Sequence, residues 1–464
     1  MNEYRISRRH FLMSAAALAA ASGVPARGAP KPKAKKPAGP PPANGTGLRF
    51  AQVGCGGKGG SDLANTIHAN GRLVGMCDVD SVRGEKSFQD YPDVPRFTDF
   101  RKMLDKLDQE IDAVVVSTPD HVHAAAALEA IRRGKHVYVQ KPLARTFDEC
   151  QALLEASRKH GVVTQMGNQG HAGSGLVLWQ KMMDAGAFGE IEHVHTWSNR
   201  PIWPQGMTEV PPPEEAPATL DWDSWIGPQT MRPYSKAYLP FAWRGWWDFG
   251  CGALGDMACH NMDPAFWILK LGLPTKIKAE TDAPVTIAYP KWSIIEYTFP
   301  PTPVAPKGIK MTWYDGKKLP PKPENCHPEM QLGDNGCMIV GSKMTAKGGS
   351  HASAPVPIAL GAQPFGAAVK DAERQWRDTL KTLSGVDHHA QWVEAATARD
   401  PKKPGSNFEY AVPMTQAILL GCIALRFPGK ELLWDNAKRE FSNLPEANTW
   451  LKFKPRAGYN LGAG

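Results

Sequence analysis

The stretch that most restricts the fold is an apolar run, residues 48–53, that breaks into Gly54-Cys55-Gly56-Gly57-Lys58-Gly59 and then into a helical segment, residues 61–69. Glycines at the first, third and sixth places of such a loop permit a tight turn and let the backbone approach a diphosphate, which then rests on the helix N-terminus. The loop alone is a weak signal, because glycine-rich turns are common. Its context strengthens it: a second strand, residues 73–77, ends at Asp78, about 20 residues on, where an adenosine ribose needs a carboxylate. Gly54, Gly56, Gly59 and Asp78 therefore read as a cradle for NAD. The acid favours NAD over NADP, because it repels a 2'-phosphate, although Arg83 lies nearby.

The pattern then repeats. Residues 112–117 form a strand that meets Thr118-Pro119, and residues 124–133 form a helix stopped by Gly134. His121 and His123 stand at the start of that helix, with His123 expected beside the cofactor together with Thr118 and Pro119. The next strand, residues 136–140, opens into Lys141-Pro142. A lysine at the C-terminal end of a strand in an open parallel sheet points into the crevice where such folds bind ligands, which puts Lys141 between cofactor and substrate. Thr146 and Glu149 form a capping box that starts a helix to residue 160. A fifth strand, residues 162–166, leads to Asn168, again on the cofactor side. Strands apolar throughout and alternating with helices imply an α/β fold with a parallel sheet covered on both faces.

From residue 191 the pattern changes toward mixed α+β, with strands expected at 192–198, 276–280 and 293–299. Seven tryptophans fall between Trp197 and Trp247 (Trp197, Trp203, Trp222, Trp225, Trp243, Trp246 and Trp247). Their flat apolar faces and N–H donors suit sugar rings, and two or three are expected at a ligand. Asp256 and His260 are four apart and share a helical face, so the acid is placed to orient the imidazole as a general base. Asp263-Pro264 reads as the N-cap and first turn of the next helix. A zinc site on Cys251, Cys259 and His260 lacks a second cluster, so no metal is expected. Residues 300–323 read as a Pro/Lys-rich loop, 338–341 as a short strand and 347–364 as poorly ordered. A helix begins at His388-His389-Trp392, another covers 407–426, and residues 444–464 show little pattern.

The N-terminus contains Arg5-Ile6-Ser7-Arg8-Arg9-His10-Phe11-Leu12-Met13 followed by an Ala-rich run, the arrangement of a twin-arginine export signal. The run is too short for a membrane span. Residues 1–29 are assigned to the signal and the Pro/Lys-rich residues 30–46 to a solvated tether, which predicts an exported, periplasmic or cell-envelope protein. Residues 1–46 hold eight Lys/Arg against Glu3 alone, so they carry +7 of the chain's +8. The body is near neutral, and nucleic-acid binding is excluded. The rest of the chain is too long for one core, and the boundaries fall at 47–168 for the nucleotide domain and 169–464 for a substrate domain. The eight cysteines form no CxxC pair. Cys326 and Cys337 are the two in the less regular region close enough to pair.

Taken together, the Gly54 loop, Thr118-Pro119 with His123, Lys141-Pro142 and Asp256-x-x-x-His260 resemble the Gfo/Idh/MocA family, the glucose-fructose oxidoreductase and inositol dehydrogenase group. The resemblance implies a Rossmann domain followed by an α/β domain with an open-faced mixed sheet. It also implies a carbohydrate substrate oxidised at a hydroxyl-bearing carbon, with Lys141, Asp256 and His260 as catalytic residues, and a homo-oligomer, dimer or tetramer, built on the open sheet face. One departure stands out: the family's usual glutamate before the lysine is Gln140. Export away from the cytoplasmic NAD pool implies a tightly held cofactor regenerated within the cycle. Net oxidoreduction, redox-neutral glycoside cleavage and mere sugar binding are the three outcomes such a chain allows.

Overall fold

The computed structural model describes residues 47–282, 286–324, 326–360 and 364–462. Residues 1–46, read above as an export signal and tether, lie outside the described residues.

The first half forms β1 (Arg49–Val53), α1 (Lys58–His68), β2 (Arg72–Cys77), α2 (Ser81–Asp90), β3 (Arg96–Phe97), α3 (Phe100–Leu107), β4 (Ala113–Val116), α4 (Asp120–Arg132), β5 (His136–Val139), α5 (Phe147–His160) and β6 (Thr164–Met166). The sheet is parallel in the order β3-β2-β1-β4-β5-β6, the doubly wound arrangement whose crevice opens at the strands' C-terminal ends. Its two-residue edge strand β3 is absent from the sequence reading, because two residues carry no periodicity. Successive strand residues are buried on opposite faces: Val114, Val116, Val137 and Val139 on one, Ala113, Val115 and Tyr138 on the other. Neither face meets water, which is why the strands read as continuous apolar runs. The capping box is present: Thr146 N donates to Glu149 Oε2 at 2.7 Å, and Glu149 N donates to Thr146 Oγ1 at 3.4 Å.

The second half adds α6 (Ser174–Asp184), β7 (Ile191–Trp197), α7 (Trp222–Ile226), α8 (Gly252–Asn261), α9 (Asp263–Ile268), β8 (Lys276–Thr281), β9 (Ser293–Phe299), β10 (Ile309–Tyr314), β11 (Gly336–Gly341), β12 (Thr345–Gly348) and β13 (Val356–Pro357). It ends with α10 (Phe365–Thr382), α11 (His388–Ala398), α12 (Phe408–Ala424), β14 (Glu431–Asp435) and β15 (Glu440–Phe441). A nine-stranded mixed sheet runs β13-β12-β11-β7-β10-β9-β8-β14-β15, with β7 and β10 parallel. Two chain segments return to the nucleotide sheet: Trp392, Val393, Ala395 and Ala396 of α11 join the cluster on one face, and α12 lies in the core on the other.

Four expectations are corrected. Residues 300–323 are not all loop: β10 sits between β7 and β9, with Met311 and Trp313 fully buried, and only its flanks are Pro/Lys-rich. Residues 347–364 likewise contain the last two residues of β12 and all of β13. Cys326 and Cys337 are free thiols. Cys326 packs on the sheet face that carries Met338, whereas Cys337 faces the main core, so strand alternation points them apart. Asp263 does not cap α9; its carboxylate is buried, 2.9 Å from His171 Nδ1, and accepts from Tyr410 Oη at 2.5 Å. Six of the seven clustered tryptophans are buried as core, Trp222 being partly exposed.

Candidate active site

The nucleotide sheet carries Lys141 to its C-terminal edge, just past β5, and α8 brings Asp256 against it. Lys141 Nζ donates to Asp256 Oδ1 at 2.7 Å and to the Asp256 carbonyl at 2.9 Å. Two further cations converge on the same carboxylate: Arg244 Nε lies 3.2 Å from Oδ1 and Arg200 Nε 3.6 Å from Oδ2. Burial pushes the Asp256 carboxyl up, but Lys141, Arg244 and Arg200 together outweigh it and hold the group at about 2.

Asp256 does not orient His260. Although the i, i+4 spacing does put both on one helix, no hydrogen bond joins them. His260 Nδ1 is buried without a partner, and its ring stacks on His351 with centroids 4.0 Å apart. A carboxylate among three cations gains far more from full charges than from a neutral imidazole. Burial, helped by His351, Lys141, Lys58 and His388, pulls the His260 pKa well below its usual value, so the ring is neutral. His351 holds a left-handed backbone (φ 59°), followed by Ala352 (φ 50°). Such consecutive non-glycine residues store about 1–3 kcal/mol each and cluster at functional sites.

Three residues here were not legible in the sequence: Arg200, Arg244 and Asp120. No spacing rule marks them; the nearest signal is that Arg244 sits inside the tryptophan-rich segment and Asp120 follows Thr118-Pro119. Asp120 Oδ2 accepts from Cys251 N at 3.1 Å, and its Oδ1 lies 3.6 Å from Arg244 Nη1. Burial lifts its pKa from 3.8 to about 6, against the pull of Arg244 and Lys141. The folded chain thus holds a proton that the unfolded chain gives up above pH ~4. This contribution to stability is complete below pH ~4 and is lost as pH rises through about 6. Asp120→Asn is expected to flatten that part of the stability–pH curve, as urea unfolding across the interval would measure; an unchanged slope would rule this account out.

The nucleotide cradle is built as the glycines suggest. Gly54 has φ +84°, and a Cβ there would lie 2.5 Å from the Ser117 carbonyl; a Cβ on Gly59 would lie 2.0 Å from the Gly54 carbonyl. Gly56 is as tightly placed, against the Arg83 carbonyl. Asp78 Oδ2 accepts from Cys55 N (2.7 Å) and Gly56 N (3.2 Å), and Oδ1 from Asp80 N (3.0 Å), so the loop orients the carboxylate at the end of β2. Asn168 Oδ1 accepts from Ser406 Oγ, while its buried Nδ2 has no partner and is available to a bound group. These features fit NAD: a loop without room for side chains, an oriented acid and an orphaned amide. His123 is placed at the Thr118-Pro119 loop. Both its ring nitrogens lie on backbone carbonyls, Pro142 at 2.8 Å and Thr118 at 2.9 Å, so it ties the Thr118-Pro119 loop to the Lys141-Pro142 turn and has no nitrogen left for a cofactor.

Residues 48–168 match the model of the oxidoreductase family with an NAD-binding Rossmann fold (GFO_IDH_MocA), and residues 179–303 match that family's C-terminal alpha/beta domain. A glycosyl hydrolase family 109 protein of Solibacter usitatus is 33% identical over 204 residues, 41% of this chain and 45% of that protein. An inositol 2-dehydrogenase of Salmonella typhimurium is 29% identical over 135 residues, 29% of this chain and 39% of that protein. The chain thus spans less than half the length of these curated relatives. The WlbA dehydrogenase of Bordetella pertussis, solved in complex with NADH and UDP-GlcNAcA, superposes with a TM-score of 0.58 at 18% identity, covering 84% of this chain and 98% of its own. With the glycine cradle, the Lys141-Pro142 strand end and both domain matches in agreement, the chain belongs to the Gfo/Idh/MocA oxidoreductase family and carries its NAD-binding Rossmann domain.

Proposed function

We propose that the protein is an exported oxidoreductase that oxidises a hydroxyl-bearing carbon of a sugar, using an NAD it holds tightly through the cycle. The observation that carries this is the ion pair of Lys141, at the end of a nucleotide-sheet strand, with Asp256 of α8, the helix that also carries His260. NAD, when bound, supplies the hydride acceptor. Gly54, Gly56 and Gly59 would admit its diphosphate and Asp78 its ribose. Lys141 Nζ has three donors and spends two on Asp256, which leaves one for the substrate oxygen. Asp256, ionised throughout the physiological range, fixes that ammonium in place. His260 is neutral, so its imidazole can receive the hydroxyl proton. The twin-arginine leader supports export, and export in turn supports a retained rather than exchanging cofactor.

His260→Ala is the test. Reduction of the cofactor by substrate is expected to fall about a hundredfold or more while NAD content is unchanged. Comparable turnover in the variant would sink the assignment of the base.

The similarity to glycosyl hydrolase family 109 proteins favours one second reading, redox-neutral glycoside cleavage, in which oxidation is transient and the hydride is returned. The two readings separate on product. Net oxidised sugar or a reduced second carbonyl compound supports the first, and cleavage of a glycoside with no net change in sugar oxidation state supports the second.

A further inference from the structure

The charges around Lys141 do not cancel. Among the described residues, Lys141, Arg200 and Arg244 pair only with Asp120 and Asp256, while the pKa values of buried His260 and of His351, which stacks on it, are depressed and both rings are neutral. One positive charge is left over, and the arginine nearest both carboxylates has incomplete hydrogen bonding. Arg244 approaches both carboxylates, but no side-chain N–H of it is aligned for a hydrogen bond, and its Nε and Nη1 are buried without partners. An arginine kept from water in this way is costly unless a partner arrives. Its surroundings set its orientation. The guanidinium lies 4.2 Å from the Trp243 ring centre, with Trp203 and Phe241 at 5.8 and 5.9 Å. Phe241 is itself half exposed, so its ring face is open beside Arg244 where a sugar ring would stack, while the two tryptophans back the guanidinium from the core.

We infer that the sugar this site takes carries a carboxylate, a uronic or aldonic acid, received by Arg244 and Arg200 beside Lys141. This rests on the oxidoreductase reading above and names its substrate class. The planar fork of a guanidinium matches a carboxylate with two parallel N–H donors, which a neutral hydroxymethyl group cannot use. A single surplus charge suits a monoanion; a phosphate ester brings close to two negative charges and overfills it. Arg200 is the outer member. Its Nη1 donates to Asn199 Oδ1 at 2.6 Å, and about a quarter of its side chain remains in solvent.

The test uses the full chain with its nucleotide bound and measures dissociation constants calorimetrically for D-glucuronate, D-galacturonate, D-glucose, D-galactose and D-glucose 6-phosphate. At least one uronate is expected to bind about tenfold or more tighter than its neutral hexose and than the phosphate ester. Arg244→Gln should erase that preference, weakening the uronate about tenfold more than the neutral hexose, and Arg244→Lys should restore part of it. Unchanged circular dichroism and NAD content establish that the variants are folded. The inference is overturned if neither uronate binds, if hexose or hexose phosphate binds as well, or if Arg244→Gln weakens acid and neutral sugars alike. Nicotinamide absorbance, recorded in the same samples, separates the two readings. Uronate binding without cofactor reduction would remove the oxidation reading and leave this inference standing, whereas reduction by neutral sugars alone would do the reverse.

Discussion

Lys141→Met is expected to lower cofactor reduction by substrate about a thousandfold while leaving NAD bound. Methionine keeps the length and apolar bulk of the stem and removes only the ammonium. Asp256 then loses its 2.7 Å partner and retains Arg244 and Arg200, both farther and less well aligned. Its carboxyl pKa rises from about 2, because burial is no longer outweighed to the same degree. The substrate oxygen loses the one donor that Lys141 has to spare, and that donor acts on charge that develops only as the hydroxyl proton leaves. Single-turnover absorbance with saturating substrate measures the loss, and the nucleotide released on denaturation measures retention of the cofactor. Turnover within tenfold of the unaltered protein would show that Lys141 is a structural partner of Asp256 and nothing more.

The second large effect is on stability, at Asp62. This carboxylate, on α1, is fully buried and accepts from Ser117 Oγ at 2.8 Å, Gln140 Nε2 at 2.8 Å and His389 Nε2 at 3.1 Å, with Lys58 as its ion-pair partner. Burial alone would raise its pKa; the His389 bond and the Lys58 charge outweigh that and lower it. The departure at Gln140 finds its explanation here. An amide can donate to Asp62, whereas a glutamate at 140 would set a second buried carboxylate against it. Asp62→Leu is expected to cost about 3–5 kcal/mol, because it strands a serine, an amide and an imidazole at once and removes the partner of Lys58. Gln140→Glu is expected to destabilise in the same sense and to shift maximal stability to lower pH, where one of the two acids can keep its proton. Denaturant unfolding of both variants checks this; a loss below about 1 kcal/mol for Asp62→Leu would mean that the cluster is solvated.

What was readable without coordinates is what neighbours along the chain decide. The glycine loop follows from backbone space within six residues, and its pairing with Asp78 from two adjacent parallel strands. Thr146 and Glu149 close their box within one helical turn. The strand that delivers Lys141 announces itself because both faces of its sheet are buried. The same local rules misplace a residue whenever a stronger partner arrives from far away. Asp263 reads as a cap from its proline, yet His171 and Tyr410, 92 and 147 residues distant, claim its carboxylate. Asp256 reads as the partner of His260 one turn on, yet Lys141, 115 residues earlier, takes it. Residues 309–314 are hidden by the prolines and lysines around them, although β10 lies at the middle of the second sheet.

The sequence by itself therefore determined the nucleotide cradle, the doubly wound sheet and the lysine at its edge, since each depends on spacing and periodicity over a turn or a strand. Only the tertiary structure decided the electrostatics of the site. The convergence of Arg200 and Arg244 on Asp256, the isolation of His260 against His351 and the burial of Asp62 under Gln140 and His389 all depend on how two sheets and their returning helices bring distant charges within a few ångströms. Coulomb attraction in a dry interior, not chain proximity, selects those partners.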